Sequence, residues 1–365
     1  MKLGIDGFSY ADLNDYARLR DLAGAFDRFV EEHDADLFRR FDAYRQGIEL
    51  TSPDESALLI AVARELALFL TQLFHIDPGV AALKSRAVRD AQVARLKKDF
   101  VSRRVAKVQK VERDVSAAAN LLDAHADDPE LALALTVNRL LDREKESPGS
   151  AKDDLDLLAE WAAVGWKEGR FAGWTSFRLP QPLVFDRLVP TAPIDDVRFG
   201  GDPHHFRKRD GFKLTDARMS QREIADEGDP IGALALVIVD NPMCPGTGHR
   251  ICNDCMKACI FQKQEPVNIP QVETRVLTET LALPWGLEIY QLLTRWNPLN
   301  VHRPHMRPYN GRNVLVVGLG PAGYTLAHYL LNEGFGVVGV DGLQIEPLPI
   351  SWTGANGKVC PVAIR

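Results

Sequence analysis

Apolar residues recur at three- and four-residue spacing through most of the first 170 positions, the period of helices that bury one stripe. Ser52-Pro53-Asp54-Glu55 supplies a capping serine, a proline at the first helical position and a glutamate three residues after the cap. It therefore predicts a helix that carries the apolar run Ala57 to Phe74 and stops before Asp77-Pro78. From Val80 to about Val111 the pattern predicts one long amphipathic helix, with Val93, Leu96, Phe100, Val105 and Val108 on its apolar side. The opposite side carries Arg86, Arg89, Lys97, Lys98, Arg103 and Arg104, then Lys107 and Lys110. Asp90, Asp99 and Glu112 interrupt that charge, so it reads as a solvated face. Ser147-Pro148-Gly149-Ser150 predicts a turn between helices.

The periodicity fades from Gly165 to about Asp229, where proline, tryptophan and arginine accumulate. His204 and His205 lie here beside Arg207, Lys208 and Arg209; two adjacent histidines without a further ligand do not make a metal site, so the stretch reads as a polar covering loop. A different period appears at NVLVVGLGPAGYTLAHYLLNEGFGVVGVD, which reads as strand, glycine turn, helix and second strand. The expected fold class is α+β: helices over residues 1–165, an irregular connection over 166–230, a cysteine-rich helical segment over 231–300, and the start of an α/β Rossmann-like unit over 311–365.

At 365 residues, 45% hydrophobic and 26% charged, the chain has the composition of two or three ordinary domains. A net charge of -6 gives no overall attraction to nucleic acid or to anionic membranes, and neither is expected as a partner. The acidic start, Met1 to Asp15, lacks the apolar core of a signal peptide, and the strongly apolar stretch Ile231 to Val239 is too short to cross a bilayer. A cytoplasmic location is the expectation. In that reducing compartment, clustered cysteines favour metal over disulfides, and Cys360 is left over as an extra thiol.

Cys244, Cys252, Cys255 and Cys259 fall within sixteen residues at the spacing C-x7-C-x2-C-x3-C. One short loop can thus bring four thiolates to a point, as a cubane iron–sulfur cluster or a tetrahedral zinc requires. Four thiolates at one point repel unless a metal neutralises them. Structural zinc sites usually come as two separated C-x2-C knuckles, whereas C-x2-C-x3-C with Pro245 after Cys244 is nearer the ferredoxin arrangement, which favours [4Fe-4S]. Ile251, Met256, Ile260 and Phe261 are expected to limit solvent there, and Arg250 and Lys257 to offset its negative charge. In the second motif, Gly318, Gly320 and Gly323 supply the turn, the close backbone approach and the helix–strand contact. Pro321 and Ala322 open a helix whose N–H groups face a pyrophosphate, and Asp341 stands where its carboxylate could accept hydrogen bonds from a ribose. The turn alone leaves FAD and NAD(P) both open.

Asp240 to Glu273, followed by a linker and the GLGPAG turn, resembles the family of the glutamate synthase small subunit and dihydropyrimidine dehydrogenase. The likeness rests on Cys255, Cys259, Pro266-Val267-Asn268-Ile269 and Glu273, and on Gly318, Gly320, Gly323 and Asp341. It spans about the last third of the chain. The helical portion before it looks more like the extension of large bacterial FAD-dependent oxidoreductases of the pyridine nucleotide-disulfide class. The resemblance implies a helical [4Fe-4S] domain ahead of an FAD domain, with NAD(P)H as hydride donor in the intact enzyme and electrons passing on to a partner site. It names no catalytic acid or base. The chain departs from the pattern in having no cysteine before Cys244, so a single cluster is expected. It also carries little beyond one βαβ unit after Gly311, so a fragment of a larger flavoprotein is expected, completed by a missing carboxyl-terminal half or by a separate electron-accepting subunit. The rival expectation is a non-enzymatic, zinc-stabilised helical scaffold with a remnant nucleotide motif.

Overall fold

The computed structural model describes residues 3–122, 128–180, 190–205, 219–224, 227–243, 254–342, 351–353 and 359–361. The described chain is mostly helical with a few short strands. The helices are α1 (Tyr16–His33), α2 (Ala35–Arg45), α3 (Ser52–Phe74), α4 (Asp77–Arg95), α5 (Pro129–Glu146), α6 (Lys152–Lys167), α7 (Pro230–Asp240), α8 (Asp254–Lys257), α9 (Ile269–Ala282), α10 (Gly286–Leu293) and α11 (Pro321–Asn332). Several start on side chains that satisfy free N–H groups: Asp15 accepts from Ala17 and Arg18, Asp34 from Asp36 and Leu37, and Asp128 from Glu130 and Leu131. Thr51, one residue before the serine expected to cap α3, holds that position and accepts from the Asp54 N–H.

Two apolar cores form. The first gathers α1 to α3 and the start of α4 together with α7, α9 and α10. At its centre Phe26, Phe69 and Trp296 meet with ring centroids 5.4–6.1 Å apart. The second holds the end of α4, α5, α6 and an aromatic group in which Phe171 stacks on Phe177 at 4.2 Å. The buried residues therefore group differently from the expected units: helices before residue 84 share a core with those after 230, while residues 93–177 close on themselves.

The long helix expected from Val80 to Val111 ends earlier. Regular α-geometry stops at Arg95, a π-helical turn runs Leu96–Val101 and a 3-10 turn follows at Val105–Lys107. The deviation brings Leu96, Phe100, Val101 and Val105 all into the second core, which a straight helix with adjacent Phe100 and Val101 could not do. Part of the basic side of this stretch is paired within the chain, with Arg86 on Glu279 at 2.8 Å and Arg104 on Asp156 at 3.3 Å. Helix α3 is long and apolar enough to cross a membrane, which the sequence reading did not recognise; more than half of that stretch is buried against other helices.

Helix α7 starts on Asp229, whose carboxylate accepts the Gly232 N–H at 2.9 Å. Burial raises this carboxyl above the ordinary carboxylate range, against the opposing pull of that hydrogen bond and of Lys84 and Arg64. Folding thus penalises the charged carboxylate relative to the unfolded chain. This group's contribution to stability is complete below the unfolded-state value and is lost as pH rises through the raised folded value. Asp229→Asn keeps a good capping side chain and removes the charge, so at pH 7 the variant is expected to melt above the parent, with the gap closing toward pH 4. Melting curves at both pH values check this; a variant less stable at pH 7 would refute it.

Three two-stranded sheets complete the fold: β1 (Thr191–Pro193) with β2 (Phe199–Gly201), β3 (Asn313–Val317) with β4 (Gly336–Val340), and β5 (Ser351–Thr353) with β6 (Val359–Pro361). Among the described residues only the β3–β4 pair is parallel, and α11 makes the crossover between its strands. Helix α11 packs on the face that carries Val316. Leu315 and Val317 pair with Val338 and Val340 on the other face, where they are 43–78% exposed. No third strand joins this pair among the described residues, so the structure contains one βαβ unit rather than a complete Rossmann sheet.

Candidate functional site

The ends of β3 and β4 lie side by side, as parallel pairing with Val317 opposite Val340 requires, and the glycine turn leaves from that end. Gly318 takes φ +92°, a left-handed conformation that favours glycine, and donates its N–H to the Val340 carbonyl at 2.7 Å. Gly320 is the N-cap of α11, with no side-chain acceptor for the helix's free N–H groups and open space where a Cβ would stand. Pro321 is the first residue of the helix, with Ala322 after it. A Cβ on Gly323 would lie 1.7 Å from the Gly318 carbonyl oxygen, so only glycine permits this approach of helix to turn. Asp341, at the end of β4, accepts the Leu319 N–H at 2.5 Å and so braces the turn from the neighbouring strand. The structure thus brings Gly318, Gly320, Pro321, Ala322, Gly323 and Asp341 together at one end of the strand pair, with Asp341 bonded to the turn itself. The arrangement fits the pyrophosphate of a dinucleotide: a close-approach glycine, an uncapped helix start and an acid beside it.

Of the four cysteines, Cys255 and Cys259 lie among the described residues; Cys244 and Cys252 lie outside them, as do Arg250 and Ile251. Cys255 sits on the short helix α8 and is exposed, and Cys259 follows it, half-buried. The Val267 N–H donates to the Cys259 Sγ at 3.4 Å, the kind of contact that steadies a metal-bound thiolate. Among the described residues no group of three or more His, Cys, Asp or Glu side chains converges as a metal site. Met256 is buried as expected, but Ile260 is 90% exposed and Phe261 is exposed as well, so these two do not shield the thiols. Lys257 pairs with Asp254 at 3.1 Å, its charge already met within its own helix.

Two tyrosines with no local sequence signal tie these regions together. The Tyr290 hydroxyl donates to the Pro242 carbonyl at 2.8 Å and Tyr329, on α11, to the Asp240 carbonyl at 3.4 Å. The chain entering the cysteine segment is therefore held against the helix that leaves the glycine turn. An aromatic residue at helical spacing reads only as core, so neither had a local signal.

The family model described as the RP005 N-terminal alpha-helical domain matches residues 3–75, the stretch that builds α1 to α3. A relative, the Uncharacterized protein RP006 of Rickettsia prowazekii (strain Madrid E), is 61% identical over 106 residues, or 29% of this chain. The chain spans only 15% of the length of that curated relative. No solved structure matches. By these comparisons the chain is similar at its amino-terminal end to the RP005 N-terminal alpha-helical domain.

Proposed function

We propose that this chain is the cluster-bearing and first dinucleotide-binding portion of a cytoplasmic FAD-dependent NAD(P)H oxidoreductase. The observation that carries the reading is the glycine turn, in which Gly318, Gly320 and Gly323 each take a separate backbone role and Asp341 fastens the turn to the second strand. Bound there, a flavin would exchange two electrons with nicotinamide and single electrons with a [4Fe-4S] cluster. The chain's own part is to hold the pyrophosphate on the start of α11, to present Asp341 to a ribose, and to supply Cys244, Cys252, Cys255 and Cys259 as cluster ligands. The β3–β4 pair is, in this reading, the opening of a Rossmann-like domain, and the electron acceptor is a partner site.

Protein purified without oxygen is expected to contain iron and acid-labile sulfide at four of each per chain. Cys255→Ser and Cys259→Ser should each lose the visible absorption of the cluster, since one iron is left without its thiolate. Stoichiometric zinc without sulfide would overturn the redox reading in favour of a zinc-stabilised scaffold. Gly323→Ala is expected to weaken FAD binding about tenfold or more by equilibrium dialysis while leaving the iron content unchanged. Equal FAD affinity in the two proteins would remove the glycine turn from the proposal.

A further inference from the structure

A cavity of about 50 Å³ lies where the helical body meets the βαβ unit. Its walls come from the end of α7 and Pro242, from the end of α10 and the following segment, and from the last turn of α11. Arg295, Arg303 and Arg307 line it from the segment after α10; Glu333, the one carboxylate among the described lining residues, takes ion pairs from both Arg303 and Arg307. Three guanidinium groups thus face one acid.

Arg295 is the least compensated. One of its terminal nitrogens donates to the Asn14 Oδ1 at 2.7 Å, but its Nε is sealed from solvent and finds no acceptor among the described residues. Burial lowers its affinity for the proton from the ordinary guanidinium value, as expected of a cation drawn out of water without an anion. On the facing wall Asn332 Nδ2 donates to the Thr294 carbonyl at 3.0 Å and lies 3.1 Å from His328 Nε2. His328 therefore accepts at Nε2 and keeps Nδ1–H as its remaining ring donor.

We propose that this cleft binds a small oxyanion of the size and charge of phosphate, held by Arg295, Arg303, Arg307 and His328 across the joint between the two parts of the chain. The anion would neutralise the excess positive charge of the lining guanidinium groups. It would also fasten α11 to the segment after α10, which the Arg307 N–H to Asn332 carbonyl bond at 2.8 Å already joins. The site is separate from the glycine turn. At 1.5 Å rise per residue, His328 and Asn332 lie roughly 10 and 16 Å along α11 from Pro321. The inference does not rest on the redox reading.

Calorimetric titration of the full chain with sodium phosphate, against sodium chloride at matched ionic strength, tests it. Saturable binding of one phosphate per chain is expected, weakened at least tenfold by Arg295→Gln and by Arg307→Gln and unchanged by Arg139→Gln, an exposed control on α5 beside the second core. Arg307 is largely exposed, so its variant remains informative if Arg295→Gln does not fold. Orthophosphate and glycerol phosphate titrated side by side separate a free anion from an esterified one, and arginine-dependent binding of either supports the oxyanion site. A response that chloride reproduces, binding that survives both substitutions, or displacement of phosphate by FAD would overturn it.

Discussion

Phe69→Ala is expected to lower the free energy of unfolding by about 3–5 kcal/mol, the cost of deleting a large buried ring whose site cannot collapse. Phe69 is fully buried on α3 and meets Phe26 and Phe29 edge-on at 5.4 Å and Trp296 at 6.1 Å. Each aromatic pair adds about 0.5–1.5 kcal/mol to simple area burial, and the alanine loses three of them. The surrounding atoms belong to α1, α3 and the segment after α10, elements far apart in sequence and fixed by other contacts, so they cannot all move inward. Urea titration followed by tryptophan fluorescence measures the loss. Leu68→Ala, one residue away and 41% exposed, should change stability by less than about 1 kcal/mol. A Phe69→Ala cost no larger than that of Leu68→Ala would mean that α3 does not organise the first core.

Glu130→Ala is expected to cost about 3–5 kcal/mol for a different reason, the removal of one partner from a buried charged network. Glu130 lies in the first turn of α5 and is 6% exposed. Its Oε1 accepts both the backbone N–H and the hydroxyl of the fully buried Ser176 at 2.7 Å, and its Oε2 accepts from Arg222 at 3.0 Å. Arg222 in turn holds Asp90 at 3.1 Å and pairs with Asp128. Alanine at 130 strands the Ser176 donors and leaves Arg222 short of an acceptor. Glu130→Gln keeps an oxygen for Ser176 and should lose markedly less. Acid adds to the effect: the Arg222 hydrogen bond holds the Asp128 carboxyl below its ordinary range, so its stabilisation is present above the unfolded-state value and vanishes as pH falls through the lowered one. Chemical unfolding at pH 7 and pH 3 checks both statements. An alanine variant as stable as glutamine would show that water replaces the carboxylate without cost.

The parts of the fold that depend on neighbours in sequence were legible. The proline and acids near Ser52 mark the start of a helix the structure contains, and the glycine spacing from Gly318 to Gly323 located the turn. Contacts between distant positions were not. Nothing local to Phe26 announces Trp296, and nothing near Asp90 or Glu130 announces Arg222, because each pairing exists only once the intervening helices have packed. The break at Leu96 was hidden for a related reason: its apolar positions fit helical spacing, and only the shape of the core they enter calls for the extra residue per turn. For the cysteines, sequence spacing still says more than geometry, since the described pair Cys255 and Cys259 contains half of the expected ligands.

The uncovered face of the β3–β4 pair has a consequence for the chain during synthesis and storage. Its two strands contain no lysine, arginine, glutamate or proline, the residues that blunt strand edges in proteins that remain monomeric. Leu315, Val317, Val338 and Val340 form an apolar strip beside backbone groups able to accept another strand. Colloidal behaviour will accordingly depend on this strip rather than on the net charge of -6, and self-association should increase with concentration and respond little to salt. A lysine at position 315 or 338 acts as a gatekeeper without touching the face beneath α11.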